Sequence, residues 1–141
     1  MMLSREFNYI AWHKPTQKMF KVYGISGEYV FEDTLDGIHT SPTNPAYLQD
    51  CILLQYSGVF DKSGAQIYEA DVIECRIGVC VVEFAKGSFW ARNPKTDKRV
   101  PLHDIITTIE PSKDIRKKSV IHNVDMPKRL GNIFLHPHLI Q

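Results

Sequence analysis

Apolar and polar residues alternate along most of the chain, and this pattern predicts strands rather than helices. The segments "FNYIAW" and "MFKVYGI" near the N-terminus each alternate with a period of two. Between them lies "HKPTQK", in which Pro15 presets φ for a turn. Residues 5–25 are therefore predicted to form a β-hairpin.

The middle of the chain continues this pattern. "CILLQY" is a short apolar run that suits a buried strand, and "DKSG" after it predicts a turn. Asp61 can cap that turn through its side chain, and Gly64 accepts a positive φ. Residues 71–84 predict two strands that meet near 77–78, a turn at 86–87 leads to a third strand, and 104–110 predict a fourth. Strands at this spacing indicate an all-β barrel or sandwich.

Three segments differ from the alternating pattern. Residues 33–49 contain Gly37, Pro42 and Pro45 without a period, which predicts a long loop that is either functional or mobile. Residues 111–129 are polar and basic, which predicts a second loop. Residues 130–140 predict a short closing strand, with one helical turn after Pro137.

Composition agrees with a folded chain of this kind. Apolar residues make up 43% and charged residues 23% of the 141 residues, as in globular proteins. We expect one compact all-β chain with little helix and two parts. Residues 1–50 form a β-hairpin and loop region, and residues 51–141 form a β-barrel domain with the basic loop 111–129 and a closing C-terminal segment.

The cysteine count and hydropathy favour a cytoplasmic protein. Cys51, Cys75 and Cys80 form no C-x-x-C pair, and an odd count argues against a disulfide framework. We expect all three to be reduced packing residues. No apolar run approaches the roughly 18–20 residues of a membrane span, and no signal peptide is recognisable, so no membrane partner is expected.

Charge is distributed unevenly along the chain. Residues 1–111 carry 11 Lys/Arg and 14 Asp/Glu, whereas residues 112–141 carry 6 and 2, a net charge of +4. One interpretation is a nucleic-acid contact in which these cations neutralise phosphates, with Trp12, Phe89 and Trp90 as stacking surfaces if they face outwards. The other is a solvated loop. The candidate residues are Lys113, Arg116, Lys117, Lys118, Lys128 and Arg129.

The basic segment is the best functional candidate, and the acids Glu69 and Asp71 are a second one. Together with a histidine they would suggest a metal-assisted hydrolase, but two carboxylates are too few for a closed Ca²⁺ or Mg²⁺ site. The alternative is structural: Tyr68 packs, and Asp71 accepts hydrogen bonds from backbone N–H groups. A positive φ is not expected at Ala70. None of the six histidines has zinc spacing, so no catalytic residue, metal or cofactor is predicted.

Three blocks of sequence resemble the YopX family of phage and prophage proteins. The first and third blocks are matched by Arg5, Ala11 and Trp12 and by Gly131, Asn132, Ile133 and Pro137. The middle block is matched by Leu53, Gln55, Tyr56, Gly58, Asp61, Gly64, Ile67, Tyr68, Glu69 and Asp71. The sequence departs from the family pattern at Val59, Ala70, Phe134 and His136.

The resemblance implies an all-β fold with an SH3-like small barrel in the second half and a phage or prophage origin. It supplies no activity. We therefore expect a non-enzymatic accessory protein of the bacterial host cytoplasm that binds another macromolecule. The expected partners are a second copy of the chain in a homo-oligomer, a host or phage protein, or nucleic acid through residues 113–129.

Overall fold

A computed structural model of the chain describes residues 8–33, 45–105, 108–110, 120–122 and 126–140. It divides into two compact units, Met1–Tyr56 and Ser57–Gln141. The described residues form antiparallel sheets, with helical structure limited to three short 3₁₀ turns, so the all-β prediction is confirmed. None of the described helical segments has the length and hydropathy needed to span a bilayer.

The first unit is an antiparallel sheet in the order β4-β3-β2-β1-β5. Its strands are β1 (Tyr9–His13), β2 (Lys18–Ser26), β3 (Tyr29–Glu32), β4 (Ala46–Tyr47) and the first part of β5 (Cys51–Phe60). β1 and β2 form the predicted hairpin, with Trp12 opposite Met19. The first core consists of Ala11, Phe20, Val22, Val30 and Ala46, which are contributed by β1 to β4.

β5 carries the chain from the first unit into the second. The second unit contains β6 (Gln66–Tyr68), β7 (Asp71–Cys75), β8 (Gly78–Ala85), β9 (Ser88–Arg92), β10 (Arg99–Pro101), β11 (Thr108–Glu110), β12 (Val120–His122) and β13 (Lys128–Asn132). Five of these strands form a sheet in the order β10-β9-β8-β7-β13, and β11 pairs with β12. The second core consists of Val59, Ile67, Ile73, Cys80, Val82, Ala91, Leu102 and Ile105.

The five-stranded sheet does not close into a barrel within the described residues. The resemblance implied a small SH3-like barrel, but the described strands form an open sheet that ends at β10 on one side and at β13 on the other. Closure would require these two strands to pair with each other, and each has its single partner on the inner side, β9 and β7 respectively.

Most turns lie where turn residues predicted them. β7 and β8 meet at residues 76–77, and the β8–β9 turn contains Lys86 and Gly87, both with a positive φ. The strand predicted at 104–110 was wrong in its first part, because Leu102–Ile105 is a 3₁₀ turn. The strands β3, β4, β6, β10 and β12 were not predicted; β4 lies in the predicted loop 33–49 and β12 in the basic loop.

Candidate functional site

Asp71, the strongest candidate acid, is occupied by structural contacts. Its carboxylate is fully buried and accepts hydrogen bonds from the Tyr68 N–H at 2.8 Å and the Asn132 amide at 3.1 Å. The Arg129 Nε donates a third at 3.0 Å, as an ion pair. Burial raises the pKa of Asp71 despite these contacts. The structural interpretation of this carboxylate is therefore confirmed.

Asp61 is the second acid of this network. Its Oδ1 accepts hydrogen bonds from the backbone N–H groups of Ser63 and Ala65, both at 2.9 Å, which confirms that its side chain caps the turn. Its Oδ2 accepts the Arg129 N–H at 3.1 Å. Burial alone would raise the pKa of Asp61, but hydrogen bonds from the Ser63 hydroxyl and from three backbone N–H groups lower it to about 2.

Ala70, between these contacts, contradicts the expectation of a negative φ. Its φ is +71°, in the left-handed region. Two long-range hydrogen bonds hold it there: its N–H donates to Val82 O at 2.8 Å, and its carbonyl accepts the Ile133 N–H at 3.0 Å. The expectation was wrong because tertiary contacts outweigh the local preference of alanine, at a position where the family pattern has glycine.

The basic segment lies mostly outside the described residues, and this includes Lys113, Arg116, Lys117 and Lys118. Lys128 is exposed at the start of β13 and pairs in register with Glu74. The Arg129 guanidinium binds buried Asp71, so its charge is already balanced by a carboxylate.

The aromatic residues considered for base stacking are buried or half-buried. Trp12 is buried. Trp90 is half-buried and its Nε1 donates to Ala85 O at 3.0 Å, while half-buried Phe89 packs against the second core. Among the described residues, no three His, Cys, Asp or Glu side chains come together as a metal site.

Two of the three cysteines lie side by side in the second unit. The sulfur atoms of Cys75 and Cys80 are 3.7 Å apart. Cys80 is fully buried and Cys75 is partly exposed. The hydrogen bond with Cys75 raises the pKa of the Cys80 thiol, and burial adds to the effect. The three cysteines were predicted to be reduced packing residues, and the sequence did not predict that Cys75 and Cys80 lie side by side.

The first unit contains an open cavity of about 330 Å³ that we call the tyrosine pocket. Its lining residues are Gly27, Glu28, Tyr47, Leu48 and Gln49. Tyr29 lies directly opposite Tyr47 on neighbouring strands, with ring centroids 5.4 Å apart and an angle of 33° between the planes. Both rings are exposed, at 40% and 48%. Two stacked, solvent-facing tyrosines beside a cavity offer a large amphipathic surface to a ligand.

Local sequence explains how the tyrosine pocket forms. The β2–β3 hairpin has a two-residue loop, and Gly27 supplies the positive φ, +59°, at its first position. The Glu28 carbonyl then accepts the Leu48 N–H at 2.7 Å, which fixes the chain after β4 against the hairpin turn. Val30 and Ala46, the next residues on the two strands, point into the first core, so Tyr29 and Tyr47 face outwards.

Sequence reasoning did not identify Tyr29 and Tyr47 as a pair. Tyr47 lies at the end of the loop predicted at 33–49. The residues around it show no alternation of apolar and polar positions that would have predicted a strand. The available signal was weak: an aromatic residue follows two prolines, and a second one follows a Ser-Gly-Glu turn.

Comparison with known proteins places the chain in a family. A family model described as YopX protein matches residues 8–141. Among solved structures, the crystal structure of protein EF1440 from Enterococcus faecalis matches with a TM-score of 0.58 at 18% identity, over 98% of this chain and 100% of that one. No curated protein matches the chain. Three residues that match the family pattern, Asp61, Asp71 and Asn132, are buried and belong to the network joined by Arg129. Since the YopX model covers nearly the whole sequence, the chain belongs to the YopX family.

Proposed function

We propose that this protein is a phage- or prophage-encoded accessory protein that acts in the bacterial cytoplasm by binding another protein, without catalysing a reaction. The observation that carries the proposal is the tyrosine pocket. Tyrosine is enriched at protein interfaces because it offers a large contact area with a polar tip. A cavity of about 330 Å³ suits one or two side chains of a partner.

The chemistry of the pocket favours a protein over nucleic acid. Glu28 is the one charged residue among the five described lining residues, and none of these five is Lys or Arg. A carboxylate repels the phosphates of nucleic acid and accepts hydrogen bonds from a partner's Lys or Arg. The proposed partner segment therefore presents an apolar or aromatic side chain to Tyr47 and a cationic side chain to Glu28.

The absence of catalysis is part of the proposal. Asp71 is buried and bonded by three donors, so it does not face a substrate. Glu69 would then be the single available carboxylate, and one carboxylate is too few to hold the metal of the hydrolase considered above. Cofactor-free turnover that disappears on changing Glu69 or Asp71 would contradict this part of the proposal.

The experiment is affinity capture of the tagged full chain from infected or lysogenic cells, followed by binding measurements with the purified partner. Tyr47→Ala is expected to weaken binding by about 30-fold, the effect of losing an interface hot spot. Tyr23→Ala is the matched control, because Tyr23 is 72% exposed on β2 and does not line the pocket. Equal affinity for both variants, with circular dichroism showing both folded, would rule out the pocket as the binding site.

The other predicted partners are tested in parallel. Gel shifts across a salt series, with and without reversal of Lys117 and Lys118 to Glu, test the nucleic-acid alternative: a shift at about 50 mM salt that the reversal abolishes would support it. Light scattering of the purified chain tests the predicted homo-oligomer through its molar mass. If Tyr47→Ala also lowers that mass, the pocket's partner is a second copy of the chain.

A further inference from the structure

The β7–β8 hairpin places two thiols on the same face of the second sheet. Its two-residue turn sets Cys75 opposite Gly78 and Ile73 opposite Cys80. The two cysteines are therefore diagonal neighbours across adjacent strands, and side chains in this relation can reach each other. Their sulfur atoms are 3.7 Å apart, so each must move by nearly 1 Å to reach the roughly 2.0 Å of a disulfide bond.

We propose that Cys75 and Cys80 form a reversible intramolecular disulfide by exchange with a small-molecule disulfide, with Cys75 as the first thiol to react. The order follows from exposure. Cys75 is partly exposed, and an external oxidant can reach it, whereas Cys80 is fully buried.

The exchange proceeds in two balanced steps. The Cys75 thiolate attacks one sulfur of oxidised glutathione, forms a mixed disulfide and releases one glutathione thiolate. Cys80 then loses its proton and attacks the Cys75 sulfur, which releases the second glutathione. In sum, two protein thiols lose two electrons and two protons, and one small disulfide becomes two thiols.

The second step is helped by the first. The largest cause of the raised pKa of Cys80 is its hydrogen bond with the Cys75 thiol. In that hydrogen bond the Cys80 S–H is the donor and the Cys75 sulfur accepts, and the negative charge of a Cys75 thiolate raises the pKa of Cys80 further. A mixed disulfide at Cys75 carries no negative charge and its sulfur is a weaker acceptor, so Cys80 ionises more readily when its attack is required. The neighbouring backbone is held in place meanwhile, because the Asn93 amide donates to Ile77 O at 2.7 Å in the turn between the two strands.

The test is incubation of the folded full chain with oxidised glutathione, followed by thiol counting in denaturant and by tryptic mapping. The thiol count is expected to fall from three to one, and reduction should restore it. Trypsin cleaves after Arg76, between the two cysteines. Peptides 63–76 and 77–86 are therefore expected as a disulfide-linked pair in the oxidised protein.

Two variants serve as controls. Cys51→Ser removes the third thiol and should leave the linked pair unchanged. Cys80→Ala should instead retain glutathione on Cys75, since no second thiol displaces it. The proposal is overturned if wild-type protein keeps three thiols, retains glutathione on Cys75 beside an unmodified Cys80, or forms a disulfide that contains Cys51.

Discussion

At the residue scale, Ala70 shows how a fold imposes a conformation that its sequence does not favour. A left-handed φ costs an L-residue about 1–2 kcal/mol relative to glycine. Two features offset this cost in Ala70. It makes two long-range backbone hydrogen bonds, and its methyl group is buried, with only 6% of the residue exposed. Burial of a methyl group contributes about 0.8 kcal/mol.

The first prediction follows from this balance. Ala70→Gly should change the free energy of unfolding by less than about 1 kcal/mol. The stability gained because glycine accepts a positive φ nearly cancels the stability lost with the buried methyl group. Ala70→Val should lower it by more than about 2 kcal/mol, since a β-branched side chain fits neither the left-handed φ nor the packed site. Urea denaturation measures both. Ala85→Val, in strand β8, is the control, and an Ala70→Gly loss as large as that of Ala70→Val would contradict the argument.

At the scale of elements, the turn after β5 is linked to the strand β13. Asp61 caps its own turn and also accepts the backbone N–H of Arg129. The Lys62 N–H donates to Pro127 O at 3.0 Å in the same place. One carboxylate thus fixes a local turn and a contact between segments 68 residues apart.

The second prediction concerns acid stability. The pKa of Asp61 is lowered from 3.8 to about 2 in the folded state, so its carboxylate stabilises the fold above about pH 4, and this contribution is lost as the pH falls towards 2. Asp61→Asn should therefore unfold at a lower urea concentration at neutral pH and lose less further stability between about pH 4 and 2. The exposed carboxylate variant Asp97→Asn is the control. Parallel acid profiles for wild type and Asp61→Asn would contradict this assignment.

The elements that the sequence predicted are those determined by neighbouring residues in the chain. The hairpins β1–β2, β7–β8 and β8–β9 followed from turn residues and alternation, whereas the β2–β3 hairpin was not predicted. The two-residue turn at 76–77 also fixes the register that brings Cys75 to Cys80. The strands β4 and β10 have two and three residues, too few to show a period, so they were missed. The tyrosine pocket was missed with β4, because Tyr47 then appeared to lie in a loop.

At the scale of the whole molecule, the family pattern becomes a single long-range structure. Its middle block and its C-terminal block meet where Asp71 binds Asn132, 61 residues away in sequence. Arg129 of the basic segment binds the same carboxylate, 58 residues away. Charge counting had placed Arg129 among surface cations. Counting charges along the sequence cannot show that Arg129 is neutralised by a buried carboxylate that lies so far away in sequence.

The third prediction tests how much of the second unit depends on this meeting point. Asp71→Ala removes the acceptor of three hydrogen bonds and leaves the Arg129 cation without its carboxylate, which should lower the free energy of unfolding by about 3 kcal/mol or more. Proteins of this size have about 5–15 kcal/mol in total, so a loss of about 3 kcal/mol removes roughly a fifth to three fifths of the stability. Asp71→Asn keeps one acceptor oxygen for Tyr68 and Arg129 and loses the hydrogen bond to Asn132. This variant should lower the free energy of unfolding by about 1–2 kcal/mol.

Glu74→Ala is the control on the same strand, where an exposed pair with Lys128 contributes at most about 1 kcal/mol. Urea denaturation at neutral pH ranks the three variants by their free energy of unfolding. If Asp71→Ala loses no more stability than Glu74→Ala, the two blocks are held together by the β7–β13 backbone pairing and not by the buried carboxylate.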